Sequence, residues 1–219
     1  MTPEPPQRAV IDGVRSLEVR WIFPGQLETA VAEWFGRFPA ELQSREDTYL
    51  LDPWWRGVSV KLRGGVALDM KEYRGSQGTL DLAGRACGHL ESWRKWSVPV
   101  EPIRRDGADL AGWIPVRKRR RISRFSPASR PVATQPAGRG QEPRCAAELT
   151  EIHALSHDWW TLGFEATGPD DLLRSALQAS AELVFAQAMP ARVAPGPAAS
   201  SSYTAWLYQR HGVKSYADA

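Results

Sequence analysis

Residues Gly57 to Tyr73 read GVSVKLRGGVALDMKEY, and how this stretch pairs with itself decides the fold. Val58, Val60 and Leu62 alternate with Ser59, Lys61 and Arg63, the period of a strand with one dry face. Gly64-Gly65 turns the chain, and Val66 to Tyr73 runs back. A two-residue loop would set Lys61 opposite Leu68 and mix the faces. A three-residue loop over Gly64, Gly65 and Val66 instead pairs Arg63 with Ala67, Lys61 with Asp69 and Ser59 with Lys71, while Leu62 meets Leu68 and Val60 meets Met70. Register follows burial, so the three-residue loop is expected, with Lys61, Arg63 and Lys71 on one face. That face is either a solvated sheet surface, as most charged strand faces are, or a basic wall that holds phosphate. The hairpin alone leaves both readings open.

The 219 residues fit one domain with decorations, and a 42% hydrophobic fraction is enough for a core. A net charge of +3 creates no global field that calls for nucleic acid; the basic residues are clustered locally. Ten tryptophans suit a β-rich or a ligand-stacking protein equally. Cys87 and Cys145 form no C-x-x-C pair and are too few for a disulfide framework. His89, His153, His157 and His211 show no metal-ligand motif. With no apolar leader and no stretch long enough to span a bilayer, a cytoplasmic protein is expected.

Residues 1–13 read as a loose lead-in, rich in Pro. Ser16 to Phe23 alternates as a strand, with Leu17, Val19, Trp21 and Phe23 dry and Ser16, Glu18 and Arg20 wet. Leu27, Ala30, Val31, Trp34, Phe35 and Phe38 recur at helical spacing. Glu46 to Leu51 is a short strand closed by Asp52-Pro53. After the hairpin, Ser76 to Ala86 reads as a polar connection. His89 to Val98 reads as a strand whose dry side the pattern leaves open: Glu91 and Lys95 share one side, Arg94 the other. Trp113 to Phe125 carries the run RKRRRISRF, which as a strand divides into Arg117, Arg119, Arg121 and Ser123 against Lys118, Arg120, Ile122 and Arg124. Residues 126–143 read as a flexible loop. Cys145 to Ile152 and Trp159 to Ala166 are strands, the second with Trp160, Leu162 and Phe164 dry. Pro169, Asp170 and Asp171 suit the start of a helix striped by Leu173, Leu177 and Val184. Residues 189–219 read as a linker and tail, leaving one barrel domain over 14–188.

The wet faces carry Glu18, Arg20, Lys61, Arg63, Lys71, Glu91, Lys95, Arg119, Arg121, Glu148 and Glu165. A closed or nearly closed antiparallel β-barrel of an α+β protein, with flanking helices, would direct them inward. Charges of both signs in an interior call for a matching ligand, and a polyphosphate with a divalent metal supplies one.

The order LEVR, helix, YLLDP, VSVKLRGG, LDMK, RRRISRF, AELTEI, WWTLGFEA, helix resembles the CYTH superfamily, the triphosphate tunnel metalloenzymes, over most of Ser16 to Phe185. Members are antiparallel barrels whose lumen binds a triphosphate, and include triphosphatases and class IV adenylyl cyclases. The family's E-x-E-x-K looks like Ser16, Glu18 and Arg20 here; its R-x-R corresponds to Lys61 and Arg63, its L-T-x-K lysine to Lys71, and its later basic pair to Arg119 and Arg121. Its E-x-D resembles Glu148 and Thr150, and its last-strand glutamate Glu165. Ser16 and Thr150 thus stand where the family has acids, and Thr167 where a second late acid is often found, so the phosphate-binding half is better preserved than the metal-binding half.

The resemblance implies hydrolysis of a triphosphate. Glu18, Glu148 and Glu165 would hold Mg²⁺ or Mn²⁺, with Glu18 or Glu148 orienting water. Arg20, Lys61, Arg63, Lys71, Lys95, Arg119 and Arg121 would bind phosphate. The alternative is a non-catalytic polyphosphate-, nucleotide- or anion-binding module of the same fold. A third reading is nucleic-acid binding through Arg117 to Arg124 with Trp113 and Phe125 stacking. The partner expected is a phosphate-bearing small molecule, with neither nucleic acid nor membrane.

Overall fold

The hairpin adopts the register that its hydrophobic alternation demands. In the computed structural model, which describes residues 13–52, 54, 55, 57–101, 112–126, 142–190, 192 and 194–211, Arg63 pairs with Ala67, Lys61 with Asp69, Ser59 with Lys71 and Val60 with Met70. Gly64 and Gly65 take φ of 56° and 76°, and the Val66 N–H donates to the Arg63 carbonyl, closing the three-residue loop.

Around this hairpin the chain builds eight strands: β1 (Val14–Pro24), β2 (Glu41–Leu50), β3 (Val58–Arg63), β4 (Ala67–Asp81), β5 (Cys87–Pro99), β6 (Trp113–Phe125), β7 (Arg144–Ala154) and β8 (His157–Thr167). They close in the order β1-β5-β4-β3-β2-β6-β7-β8, and β8 pairs back onto β1. Every neighbouring pair is antiparallel. Helix α1 (Thr29–Gly36) joins β1 to β2, α2 (Leu173–Val184) follows β8 behind a short 3-10 turn, and α3 (Tyr203–Arg210) comes last. This is the closed antiparallel α+β barrel expected. Among the described residues no helix is long and apolar enough to cross a membrane.

Strand alternation splits the apolar residues into two cores. The outer one joins Leu17, Val19, Trp21 and Phe23 of β1 and Trp160, Leu162 and Phe164 of β8 to Val31, Trp34 and Phe35 of α1 and Leu177, Ala181 and Val184 of α2. Phe23 stacks on Trp160 with centroids 4.2 Å apart. The second core lies inside the barrel. Ile22, Tyr49, Val116 and Ile152, each on the lumen face of its strand, surround Trp206, Leu207 and Tyr208 of α3. Five successive α3 residues, Thr204 to Tyr208, are buried, which a helix lying on a surface would not achieve. Helix α3 therefore plugs one end of the barrel. Each large side chain it buries contributes about 1.5–3 kcal/mol of hydrophobic free energy.

Three expectations differ from the structure. β4 runs on to Asp81, through what reads as a polar connection, because bulges at Tyr73/Gly75 and Ser76/Thr79 absorb the irregular pattern and Gly75 and Gly78 take positive φ. β2 begins at Glu41, and its first half pairs with β6 although it lacks apolar alternation. The segment read as linker and tail contains a 3-10 turn and the plug helix. The proposed lead-in and the 126–143 loop fall almost wholly outside the described residues.

Candidate functional site

The lumen above the plug is charged. Its walls carry eight basic side chains (Arg20, Arg45, Lys61, Arg63, Lys71, Lys95, Lys118 and Arg120) against five carboxylates (Glu18, Asp69, Glu91, Glu148 and Glu165). Asp47, fully buried behind Arg45, Lys61 and Lys118, makes six, which still leaves a cationic excess.

Cross-strand register places these groups in layers. Deepest is Asp47 on β2, with Lys118 Nζ at 2.9 Å, Lys61 Nζ at 3.2 Å and Arg45 Nε at 2.9 Å. Burial opposes the Asp47 charge, but Lys118, Lys61 and Arg45 outweigh it and hold the carboxyl well below its usual range. Burial presses Lys118 and Lys61 below the usual lysine range, with Asp47 opposing the shift in each case. Nearer the other end Asp69 accepts from Ser97 Oγ at 2.7 Å and faces Arg63 at 3.3 Å.

Opposite these, Glu148 pairs with Arg120 and, at 3.5 Å, with Arg20. Arg20 crosses β8 over Gly163, where a Cβ would come within 3.0 Å of the guanidinium carbon. The missing side chain is what lets Arg20 reach Thr161 Oγ1 at 2.8 Å. Glu18 pairs with Lys71, and Glu165 with Lys95 at 2.9 Å. Burial raises the Glu165 pKa, but Lys95 and Lys71 outweigh it and hold the group below the ordinary range. Glu91, Cα-opposite Glu18, is different: burial and then the Glu18 charge push it up to about 7, while Trp93 Nε1 donates to it at 3.2 Å.

Ser16 and Thr150, the two hydroxyls that the resemblance sets in place of acids, each hold a glutamate. Ser16 Oγ donates to Glu18 Oε1 at 2.7 Å, and Thr150 Oγ1 donates to Glu148 Oε1 at 2.8 Å. Each fixes the remaining glutamate in place of adding a second negative charge.

Of the residues expected to bind phosphate, Arg20, Lys61, Arg63, Lys71 and Lys95 line one cavity, as do the expected acids Glu18, Glu148 and Glu165. Arg119 and Arg121 do not: they stand on the outer face of β6 and pair with Glu151 at 3.4 and 3.0 Å, and the Arg119 side chain is 72% exposed. The lumen positions of that strand belong to Lys118 and Arg120. On that outer face Arg117 pairs with Glu46, as Arg119 and Arg121 do with Glu151. Pattern reading also left Arg45, Asp47 and Tyr203 out of the site.

A Mg²⁺ or Mn²⁺ ion bound by Glu18, Glu148 and Glu165 does not fit this arrangement. Glu18 and Glu165 are cross-strand neighbours, but the Arg20 guanidinium lies against Glu148, and each of the three carboxylates faces a cation. Among the described residues no group of three or more His, Cys, Asp or Glu is placed to hold a metal. Hard divalent cations need converging anionic oxygens, and here ammonium and guanidinium groups occupy that role's place.

No known family's sequence model and no curated protein matches the chain. Among solved structures it is similar to the PH1819 protein from Pyrococcus horikoshii OT3, at 13% identity over 89% of this chain and 99% of that one, with a TM-score of 0.46. It is also similar to the S. pombe Pct1 RNA triphosphatase solved in complex with the Spt5 CTD, at 10% identity over 81% and 82%, with a TM-score of 0.39. What stands on strand order and lumen is the fold: a closed eight-stranded antiparallel tunnel barrel of the kind the CYTH resemblance implies.

Proposed function

We propose that the protein binds a polyphosphate-bearing small molecule, foremost a triphosphate, inside the barrel. One observation carries this reading: an enclosed lumen holding more basic side chains than carboxylates. Lysine and arginine donors that now serve Glu18, Asp47, Asp69 and Glu165 can turn to phosphate oxygens, whose charge is denser than a carboxylate's. The built-in carboxylates act as counter-ions that keep the ligand-free lumen folded. Because the described residues bring no three metal-ligating side chains together, any Mg²⁺ would arrive on the polyphosphate. A cytoplasmic setting belongs to the same reading and is supported by two free cysteines.

Titration calorimetry with tripolyphosphate tests it, in EDTA and again with Mg²⁺. Binding of one ligand per chain in EDTA, weakened by salt, is expected. Absence of heat in both buffers would refute the proposal.

Hydrolysis of the bound triphosphate is a second reading, favoured by the Glu18–Glu91 pair. A carboxyl that holds a proton near neutrality suits acid–base work: Glu91 is pushed up to about 7, and Glu18, the group expected to orient water, sits Cα-opposite it. Lys71 and Lys95 would offset the charge that develops on the transferred phosphoryl group. Phosphate release from tripolyphosphate, ATP and thiamine triphosphate with Mg²⁺ or Mn²⁺ checks this. Turnover lost in Glu18→Gln supports it, and no turnover of any of the three leaves the binding module.

A further inference from the structure

The lumen has a floor built by the chain's own C-terminal segment, and that floor bears on which polyphosphates can enter. β3 runs the length of the cavity. Side-chain exposure falls from 37% at Arg63 and 32% at Lys95 through 22% at Lys71 and 16% at Lys61 to 3% at Lys118. One step beyond Lys61, Ser59 Oγ accepts from Thr204 Oγ1 of α3 at 2.6 Å. There the Tyr203 ring lies 4.4 Å from the Arg20 guanidinium carbon and 4.2 Å from Lys118 Nζ. Behind Tyr203, Trp206, Leu207 and Tyr208 fill the lumen.

The wall is also sealed sideways. β1 pairs with β5 only from Val14 to Glu18. Beyond that point the Ser200–Ser201 segment takes over: Ser201 N–H donates to the Arg20 carbonyl at 3.0 Å, Ser200 bridges Trp21, and the His89 N–H donates to Ser200 Oγ at 2.8 Å. Among the described residues, a chain entering past Arg63 meets this wall and the plug behind it, with no opening between them. At that wall three cations, Lys61, Lys118 and Arg45, close on Asp47, and Lys61 also lies 3.6 Å from Asp69, so three cations stand against two carboxylates. An excess of positive charge there matches a terminal phosphoryl group, which carries nearly two negative charges, better than an internal phosphate carrying one.

We infer that the lumen is a blind, end-reading site: it takes a polyphosphate by a free terminal phosphate, seated against Lys61, Lys118 and Arg45 above Tyr203, and rejects chains capped at both ends and the interior of long chains. This deepens the polyphosphate-binding reading and rests on it. The free cavity of about 150 Å³ suits a short chain held end-on.

The test uses the full chain in calorimetric or competition binding, with tripolyphosphate as the reference. ATP, which has one free end, is compared with P1,P4-diadenosine tetraphosphate, which has equal net charge and no free end. ATP is expected to bind at least about tenfold tighter, a difference of about 1.4 kcal/mol. A long-chain polyphosphate is expected to bind protein at its two ends only, with a stoichiometry independent of chain length. Equal affinity for the capped and uncapped nucleotides, or protein bound in proportion to chain length, overturns the inference while tripolyphosphate binding keeps the parent reading. Failure of tripolyphosphate itself to bind overturns both. Leu207→Asp, which places a charge in the plug's apolar seat, is expected to let the capped nucleotide bind. Should that variant not fold, the comparison on the unmodified chain decides alone.

Discussion

Replacing Asp47 with Asn removes the carboxylate around which Lys118, Lys61 and Arg45 close, and leaves three cations facing a neutral amide. Asp47 is fully buried, so water cannot substitute for it. Removing one partner from a buried ion pair costs about 3–5 kcal/mol. In a chain of this size each kcal/mol moves Tm by about 2–4 °C, so a fall of roughly 6–20 °C is expected. The deficit depends on pH in a definite direction. Lys118 is already pressed below the usual lysine range by burial, so alkaline pH lets it shed its proton and relieves the uncompensated charge. The Tm gap between wild type and Asp47→Asn therefore narrows between pH 7 and pH 9. Tripolyphosphate supplies the missing anion, so the rise in Tm on adding it is larger for the variant than for wild type. Thermal unfolding followed by circular dichroism, with and without ligand at both pH values, reads all three effects. A variant as stable as wild type, or one that gains less from the ligand, refutes the view that Asp47 stands in for a bound anion.

Other expectations follow from neighbouring contacts. The Glu91 carboxyl titrates near 7 when folded, against about 4.3 unfolded. The folded state thus holds the extra proton between these values, and its stability falls as pH rises through them. Glu91→Gln, which carries no such proton, should gain on wild type by up to ~3 kcal/mol between pH 5 and pH 8 in denaturant titrations; a constant difference across that range counts against the shift. Lys71→Ala and Lys95→Ala should each weaken tripolyphosphate binding by about tenfold or more, since each removes a charge-assisted donor worth roughly 1.5–3 kcal/mol. Arg119→Ala and Arg121→Ala, on the outer face, should change it by less than about twofold, and the reverse ranking would contradict the lumen assignment. Gly88→Ala sets a Cβ 2.8 Å from Val19 Cγ2 and 2.9 Å from the Trp21 ring, and should cost about 1–3 kcal/mol in chemical unfolding.

Much of the barrel was legible because its outer face is an ordinary dry one. Val58, Val60 and Leu62, and likewise Trp160, Leu162 and Phe164, alternate against polar neighbours, so both the register of β3 with β4 and the inward direction of Glu165 could be read from pattern alone. β6 misled for a physical reason. Its outer positions Arg117 and Arg119 are exposed, while apolar Val116 shares the inner face with Lys118 and Arg120. In a strand with a single dry side that mixture makes no sense. It makes sense once α3 is known to fill one end of the lumen, so that inner positions are apolar beside the plug and charged beyond it. The plug was illegible in turn because a helix buried on all sides has no amphipathic stripe to betray it, and YTAWLYQR looks like an unremarkable tail. Asp47 was missed with it: the strand expected over Glu46–Leu51 contains it, but only the three-dimensional meeting of Arg45, Lys61 and Lys118 shows what it does. What Ser16 and Thr150 do was equally hidden in the pattern, since only the folded strands show each holding the glutamate two residues away by a hydrogen bond.

The most direct measurement is an experimental structure of the protein with tripolyphosphate, grown in EDTA. Ligand density inside the barrel is expected, running from Arg63 and Lys95 down to Lys61 and Lys118, with its end above the Tyr203 ring. Density on the outer face of β6 around Arg117 and Arg119 instead, or a lumen unchanged at saturating ligand, would contradict it.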